Sequence, residues 1–295
     1  MIYLVFPTSW HPSQPYLSLP SLKAFLNQNG VHDVVQRDLA IELLNDLCTW
    51  EKTKPLYERI IRELNELSSK PRLTQVESEK FAKLREAEEI IMALKDQIDA
   101  AVNSQRGPEF YEIDQYMENL KVMDVWLDNI LAPYYPSQLT VIGSQMRFSP
   151  YSSKEVIDSF SHPEENFFYD LYEKWYLDDI LKEDIDIFGI SITSVEQIIS
   201  GLTLAYLVKK NRPEIHITVG GSVFTKLVDR LEKDASPLFD FVDSFIVHEG
   251  ETPLLRLVEH LRGDGDLSKV PNLIYREDGI VKVNRPFAKA VSYTQ

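Results

Sequence analysis

Two short apolar runs with a helical stretch between them set the pattern of this chain. Residues 186–192 are apolar and β-rich, and 215–219 repeat the type. Between them Ile198, Leu202, Ala205, Tyr206 and Val208 follow a helical period. Lys209 and Lys210 close that helix where its dipole favours cations, and Asn211-Arg212-Pro213 stops it. A strand, a helix and a second strand in this order form one βαβ unit, which predicts a parallel sheet. The opening of the chain repeats the arrangement. Ile2–Phe6 reads as a buried strand, and three prolines in Pro7–Pro15 prevent its continuation. Leu19, Leu22, Phe25 and Leu26 mark an amphipathic helix ended by Asn29-Gly30, and residues 32–37 give the next strand.

Helical spacing then dominates from about residue 49 to 180. Leu56, Ile60, Leu64 and Leu67 line one helix, and Ser68-Ser69-Lys70-Pro71 turns the chain. Leu84, Ala87, Ile91, Leu94, Ile98 and Ala101 alternate spacings of three and four, predicting a second, continuous helix packed antiparallel on the first. Met117 to Ile130 gives a third, Leu139–Ile142 a short strand, 145–161 a loop, and Phe167 to Ile180 a further helix. Beyond Ser222, residues 224–231 read as a helix, 241–247 as a strand, and Thr252-Pro253 as the start of another helix. Residues 272–276 and 280–283 flank Glu277-Asp278-Gly279 as a hairpin. The prediction is an α/β fold: a doubly wound, flavodoxin-like or Rossmann-like parallel sheet from residues 1–48 and 181–285. A large helical insertion occupies 49–180, and 286–295 form a linker.

Composition narrows the function. The 295 residues carry 46 Asp+Glu against 31 Lys+Arg, a net charge of −15 that disfavours nucleic acid and anionic membrane as bulk partners. No apolar run reaches the roughly 20 residues of a membrane span, and a cytoplasmic setting fits. The lone cysteine, Cys48, excludes an internal disulfide and any all-cysteine metal site; its helical surroundings read as packing rather than as a nucleophile. P-loop, G-x-S-x-G, H-E-x-x-H and G-x-G-x-x-G patterns are absent.

In an open parallel sheet, ligands sit outside the carboxyl ends of the strands. Four loops are predicted there. The first holds Pro7, Thr8, Ser9 and Trp10; the second Ser191, Thr193, Ser194 and Gln197; the third Gly220, Gly221 and Ser222; the fourth Glu249, Gly250 and Glu251. The glycines let a large ligand approach the backbone. The hydroxyl, amide and carboxylate groups form a lysine-free, hydrogen-bonding wall suited to an amide-decorated ligand rather than a triphosphate. Each motif also has a structural reading. Gly-Gly serves as a tight turn, Ser and Thr cap helices, Glu251 sits favourably at a helix N-terminus, and His11 and His248 are hydrogen-bonded loop residues.

Taken together, PTSWHPSQPYLSLPSL, DIFGISITSVEQ, HITVGGS and VDSFIVHEGETPLLRLVEHL resemble the N-terminal cobalamin-binding domain of cobalamin-dependent radical S-adenosylmethionine enzymes. The resemblance covers about residues 1–45 and 184–285 and leaves out the helical middle. It implies cobalamin on the carboxyl edge of the sheet. The corrin amides would meet the first two loops, the nucleotide tail would pass Gly220-Gly221, and Glu249–Glu251 would stand at the far rim. Many cobalamin proteins place a cobalt-ligating histidine in D-x-H-x-x-G after the second strand. Here Asp38-Leu39-Ala40-Ile41-Glu42-Leu43 has Ala40 in its place and Leu43 for the glycine, so no histidine–cobalt bond is expected.

These enzymes hold a [4Fe–4S] cluster and S-adenosylmethionine in a following barrel, which one cysteine cannot build. The resemblance therefore implies a barrel beyond residues 286–295, in cis or in trans, and no catalysis by this chain alone. The implied parent is a methyltransferase acting through methylcobalamin. The alternative is a non-enzymatic module on a vestigial flavodoxin-like core, whose insertion docks a peptide or protein. Packing of Ser191, Gly220 and Gly221 under the insertion would favour that alternative.

Overall fold

The apolar runs become strands of one seven-stranded sheet. They are Ile2–Phe6 (β1), Val34–Asp38 (β2), Ile187–Ser191 (β3), His216–Gly220 (β4), Ser244–Ile246 (β5), Leu273–Glu277 (β6) and Ile280–Val283 (β7). Their order is β2-β1-β3-β4-β5-β6-β7. The first five are mutually parallel, and β6 and β7 continue the sheet antiparallel. The computed structural model describes residues 1–234, 236–263 and 265–285, so the expected linker at 286–295 lies outside the described residues. The parallel part has the flavodoxin-like 2-1-3-4-5 order, with its topological switch between β1 and β3.

Strand alternation sorts side chains onto two faces. Ile2, Leu4, Phe6, Ile187 and Ile246 enter one apolar cluster with Ser18–Gln28 (α1) and a later helix, Glu251–Leu261. Tyr3, Val5, Phe188, Ile190, Ile217, Val219 and Phe245 enter a second, larger cluster. That cluster takes in Leu39–Leu47 (α2), Trp50–Ser68 (α3), Gln75–Leu94 (α4), Ile98–Ser104 (α5) and Ile113–Ile130 (α6). It also takes in Ser153–Ser159 (α7), Phe167–Trp175 (α8), Leu177–Leu181 (α9) and Gln197–Asn211 (α10). The insertion thus extends the core of one sheet face. After β4 come Ser222–Lys226 (α11) and Val228–Asp234 (α12); Glu251–Leu261, following β5, is α13.

Several boundaries differ from the pattern-based expectations. The stripe from Leu84 to Ala101 is buried except at Leu94, which is partly buried, yet the helix breaks at residues 95–97. Leu94 and Ile98 are four apart, so the buried face continues across the break and the spacing alone does not reveal it. The helix expected at 167–180 is two helices, and that at 224–231 is broken at Leu227. The short strand is Gln138–Leu139, paired with Ser144–Gln145 at the edge of the expected loop. Glu251, not Thr252, begins α13, with Gly250 at its N-cap.

Trp126 ties the insertion to the sheet domain. Its ring is fully buried, and its Nε1 donates to the Leu47 carbonyl at 2.6 Å, at the end of α2. Cys48 is fully buried beside it in the sequence, and burial pushes its thiol pKa up, away from nucleophile chemistry. Trp126→Ala should therefore lower unfolding free energy by about 3–5 kcal/mol, read as a shift of the urea midpoint.

Candidate functional site

On the α1/α13 face the two middle strands carry small or polar residues where their neighbours carry large ones. Gly189 and Ser191 on β3 and Thr218 and Gly220 on β4 stand between Leu4 of β1 and Ile246 of β5. The registers Leu4↔Gly189 and Gly189↔Thr218 place three of them in one row across the sheet. With no bulk to support a helix here, a slot of about 760 Å³ opens at the carboxyl edge between α1 and α13. Leu19, Leu22 and Leu254 form apolar walls, Tyr16 and His248 line it, and Ser18, Ser222, Thr225 and Lys226 add polar groups. A planar apolar group with a polar attachment suits such a space.

Seven of the fourteen residues expected to contact a ligand line the slot: Ser191, Gly220, Gly221, Ser222, Glu249, Gly250 and Glu251. Gly220 has room for a Cβ, which would lie 3.4 Å from the Ile246 carbonyl oxygen. Gly221 has φ of 114°, and a Cβ there would stand 2.0 Å from the Ile192 carbonyl oxygen. Its lack of a side chain is what lets the β4–α11 loop press against the β3–α10 loop. Ser222 Oγ closes the same junction by donating to the Thr193 carbonyl at 2.9 Å. Glu251 is buried in the first turn of α13, where a carboxylate complements the helix dipole.

The other seven, Pro7, Thr8, Ser9, Trp10, Thr193, Ser194 and Gln197, are not in the slot lining. Gln197 is a bracket between loops. Its Oε1 accepts from Thr193 N and Oγ1 at 2.9 Å and from Ser194 N at 3.2 Å, while its Nε2 donates to the Pro7 carbonyl at 2.8 Å. Thr8 pairs with the buried Tyr172 hydroxyl at 2.9 Å, and Ser9 Oγ donates to Ser144 Oγ at 3.2 Å. The insertion thereby holds the first loop from behind. Burial pushes the Tyr172 phenol pKa up to about 12, so it remains a neutral partner. Trp10 packs edge-on against Phe6 and Tyr16, and so backs the slot wall through Tyr16.

Two expectations about the wall need correction. It is not free of lysine: Lys226, the last residue of α11, is in the slot lining. It also extends deeper than the loops, to Leu4, Gly189 and Thr218, and along α1 and α13. Those helix residues were missed because an inner face lining a slot has the same sequence pattern as one lining a core. Among the described residues the lining contains none from 49–180, so the insertion does not cover Ser191, Gly220 or Gly221.

Asp38 caps α2 by accepting from Ala40 N at 3.0 Å and Ile41 N at 3.2 Å, and Ala40 is buried against the α1 side. His11 bonds Ser13 Oγ at 2.8 Å, and His248 takes φ of 60° with its amide donating to Thr225 Oγ1 at 2.7 Å. His162, Glu164 and Glu165 approach one another on the insertion surface, with Glu165 engaged by Arg147. No helix among the described residues is long and apolar enough to cross a membrane. No family model matches the chain, and neither a curated protein nor a solved structure does.

Two measurements check the scaffold of the site. Gln197→Leu strands two part-buried amides and the buried Pro7 carbonyl, and should cost about 2 kcal/mol in urea unfolding. His216, at the start of β4, has its imidazole pKa pushed down to about 4 by burial, with Asp243 opposing the shift. The unfolded chain therefore binds this proton first as pH falls, and stability drains between about pH 6.5 and 4. His216→Gln keeps a side-chain N–H and cannot titrate, so its urea midpoint should fall less over that window than the wild type's.

Proposed function

We propose that this chain is a cobalamin-binding module of a radical S-adenosylmethionine enzyme, with a methyltransferase acting through methylcobalamin as the parent activity. The supporting observation is the slot: an open cavity at the carboxyl edge beside the switch point, lined by the glycine, serine and glutamate positions that carry the resemblance. The residues fit a corrinoid's nucleotide tail in three ways. Gly189 and Gly220 keep the floor low between Leu4 and Ile246, leucines flank a planar ring, and Lys226 offers a cation to a phosphodiester. When bound, cobalamin would supply cobalt-centred methyl transfer.

The chain's own residues would bind and orient it. Ser18, Ser191, Ser222 and Thr225 bring hydroxyls to the wall, beside Lys226, His248, Glu249 and Glu251. Gly221, which also lines the slot, and Gln197, which does not, hold the two loops in register. Ala40 leaves no imidazole at the position where a lower cobalt ligand would come from. Within this reading, the [4Fe–4S] cluster and S-adenosylmethionine belong to a barrel outside residues 1–285, and the module is not catalytic by itself.

The purified chain should retain hydroxocobalamin absorbance through gel filtration at micromolar concentration. Gly220→Leu, which points bulk into the slot, should abolish retention with an unchanged circular dichroism spectrum. Absence of retention by the wild-type chain would contradict the assignment.

A further inference from the structure

The helical insertion ends in a tip that its own core does not cover. A short 3-10 turn, Pro108–Tyr111, leads into α6. Residues 113–122, the first half of that helix, include no buried residue, and the core is met only from Met123 onward. Yet this half is not polar. Ile113 is 75% exposed and Met117 58%, and they lie one helical turn apart on the same side. Tyr111, 83% exposed, joins them through a ring cluster: Phe110 packs edge-on against Tyr111 and Tyr116, each at 5.3 Å between ring centres. Single exposed apolar residues are ordinary, but a contiguous set on a projecting helix is a surface that another molecule covers.

The charges around this set give the chemistry of that molecule. Residues 107–120 carry Glu109, Glu112, Asp114 and Glu118 and no Lys, Arg or His. Among the described residues none of these four carboxylates is in an ion pair. Elsewhere on the insertion carboxylates meet cations: Glu63 with Lys80, Glu88 with Arg85 and Asp128 with Lys83. The helix dipole accounts for Glu112 and Asp114 at the start of α6, but not for Glu118 or for the apolar residues between. A groove of about 630 Å³ runs beside the tip between α5 and α6. Asp96 and Glu109 stand in its lining with Ala100 and Val122, so it offers carboxylates to a cationic head and an apolar bed to its stem. A second copy of this chain would bring the same carboxylates against these, and nucleic acid or an anionic membrane would be repelled.

We propose that the insertion tip docks a basic, amphipathic helical segment of a partner protein. Apolar side chains of the partner cover Tyr111, Ile113 and Met117, while its Lys and Arg residues meet the acidic rim and the groove. This role is independent of what the slot binds.

The test measures fluorescence anisotropy of two labelled synthetic peptides titrated with the intact chain. One is a helix former of about 18 residues with leucines on one face and lysines on the other; the second has the same composition in scrambled order. The wild type should bind the amphipathic peptide at least about tenfold more tightly than the scrambled one, and added salt should weaken that binding. Ile113→Gln with Met117→Gln should weaken it about tenfold, with the circular dichroism spectrum unchanged because both positions are exposed. Neutralising Glu112→Gln, Asp114→Asn and Glu118→Gln should weaken it roughly three- to tenfold. Removing the same charge at the exposed residues of Asp178→Asn, Asp179→Asn and Glu183→Gln should change it by less than about twofold. Three results would each overturn the proposal: no binding of the amphipathic peptide, equal binding of both peptides, or equal losses in the two neutralised triples, which would mark attraction to net charge alone. A wild-type dimer that dissociates in Ile113→Gln with Met117→Gln would assign the tip to a second copy and overturn it as well.

Discussion

A parallel sheet whose chain first steps to one side of β1 and later to the other leaves its middle strands without a helix of their own on one face. Here that face is served by α1 and α13, which follow β1 and β5. The strands between carry Gly189, Ser191, Thr218 and Gly220, residues too small to fill the space. Strand order and the absence of bulk act together. Either alone would give a packed face or an unsupported one; together they give an open slot with rigid walls.

The opposite face shows what the helical insertion contributes. Its apolar stripes join the cluster under α10, so it completes a core that the sheet domain would otherwise expose. Tyr172 and Ser144 hold the first loop by hydrogen bonds, and Gln197 ties that loop to the second. The insertion therefore acts on the slot through the loops it buttresses and not by covering it. This division of labour leaves the carboxyl edge open on the α1/α13 side while its frame is fixed by buried polar contacts.

Much of this was legible in the sequence. The apolar runs at 2–6, 186–192 and 215–219 announced parallel strands, and the turns after them announced the ligand edge. Gly221 was legible as a close approach, and the Ile192 backbone is one neighbour that requires it. Gln197 was misplaced because an amide satisfies a loop backbone as readily as a ligand, and sequence does not say which comes first. Leu22, Leu254 and Tyr16 were invisible as slot residues because burial against a cavity and burial against a core share one hydrophobic pattern. Lys226 lies four residues past the Gly220–Ser222 loop, on the short helix α11, outside the loops that the pattern marked as the ligand edge. The buried hydrogen bond from Ser244 Oγ to Thr218 Oγ1 needed the strand register, which pairs residues 26 positions apart.

The central claim is that ligand is seated between α1 and α13 over β3 and β4. Amide hydrogen exchange with and without hydroxocobalamin addresses it directly. The account predicts new protection in residues 18–22, 220–226 and 248–254, with the helices between 56 and 130 unchanged. Protection confined to those insertion helices, or no change anywhere, would contradict it.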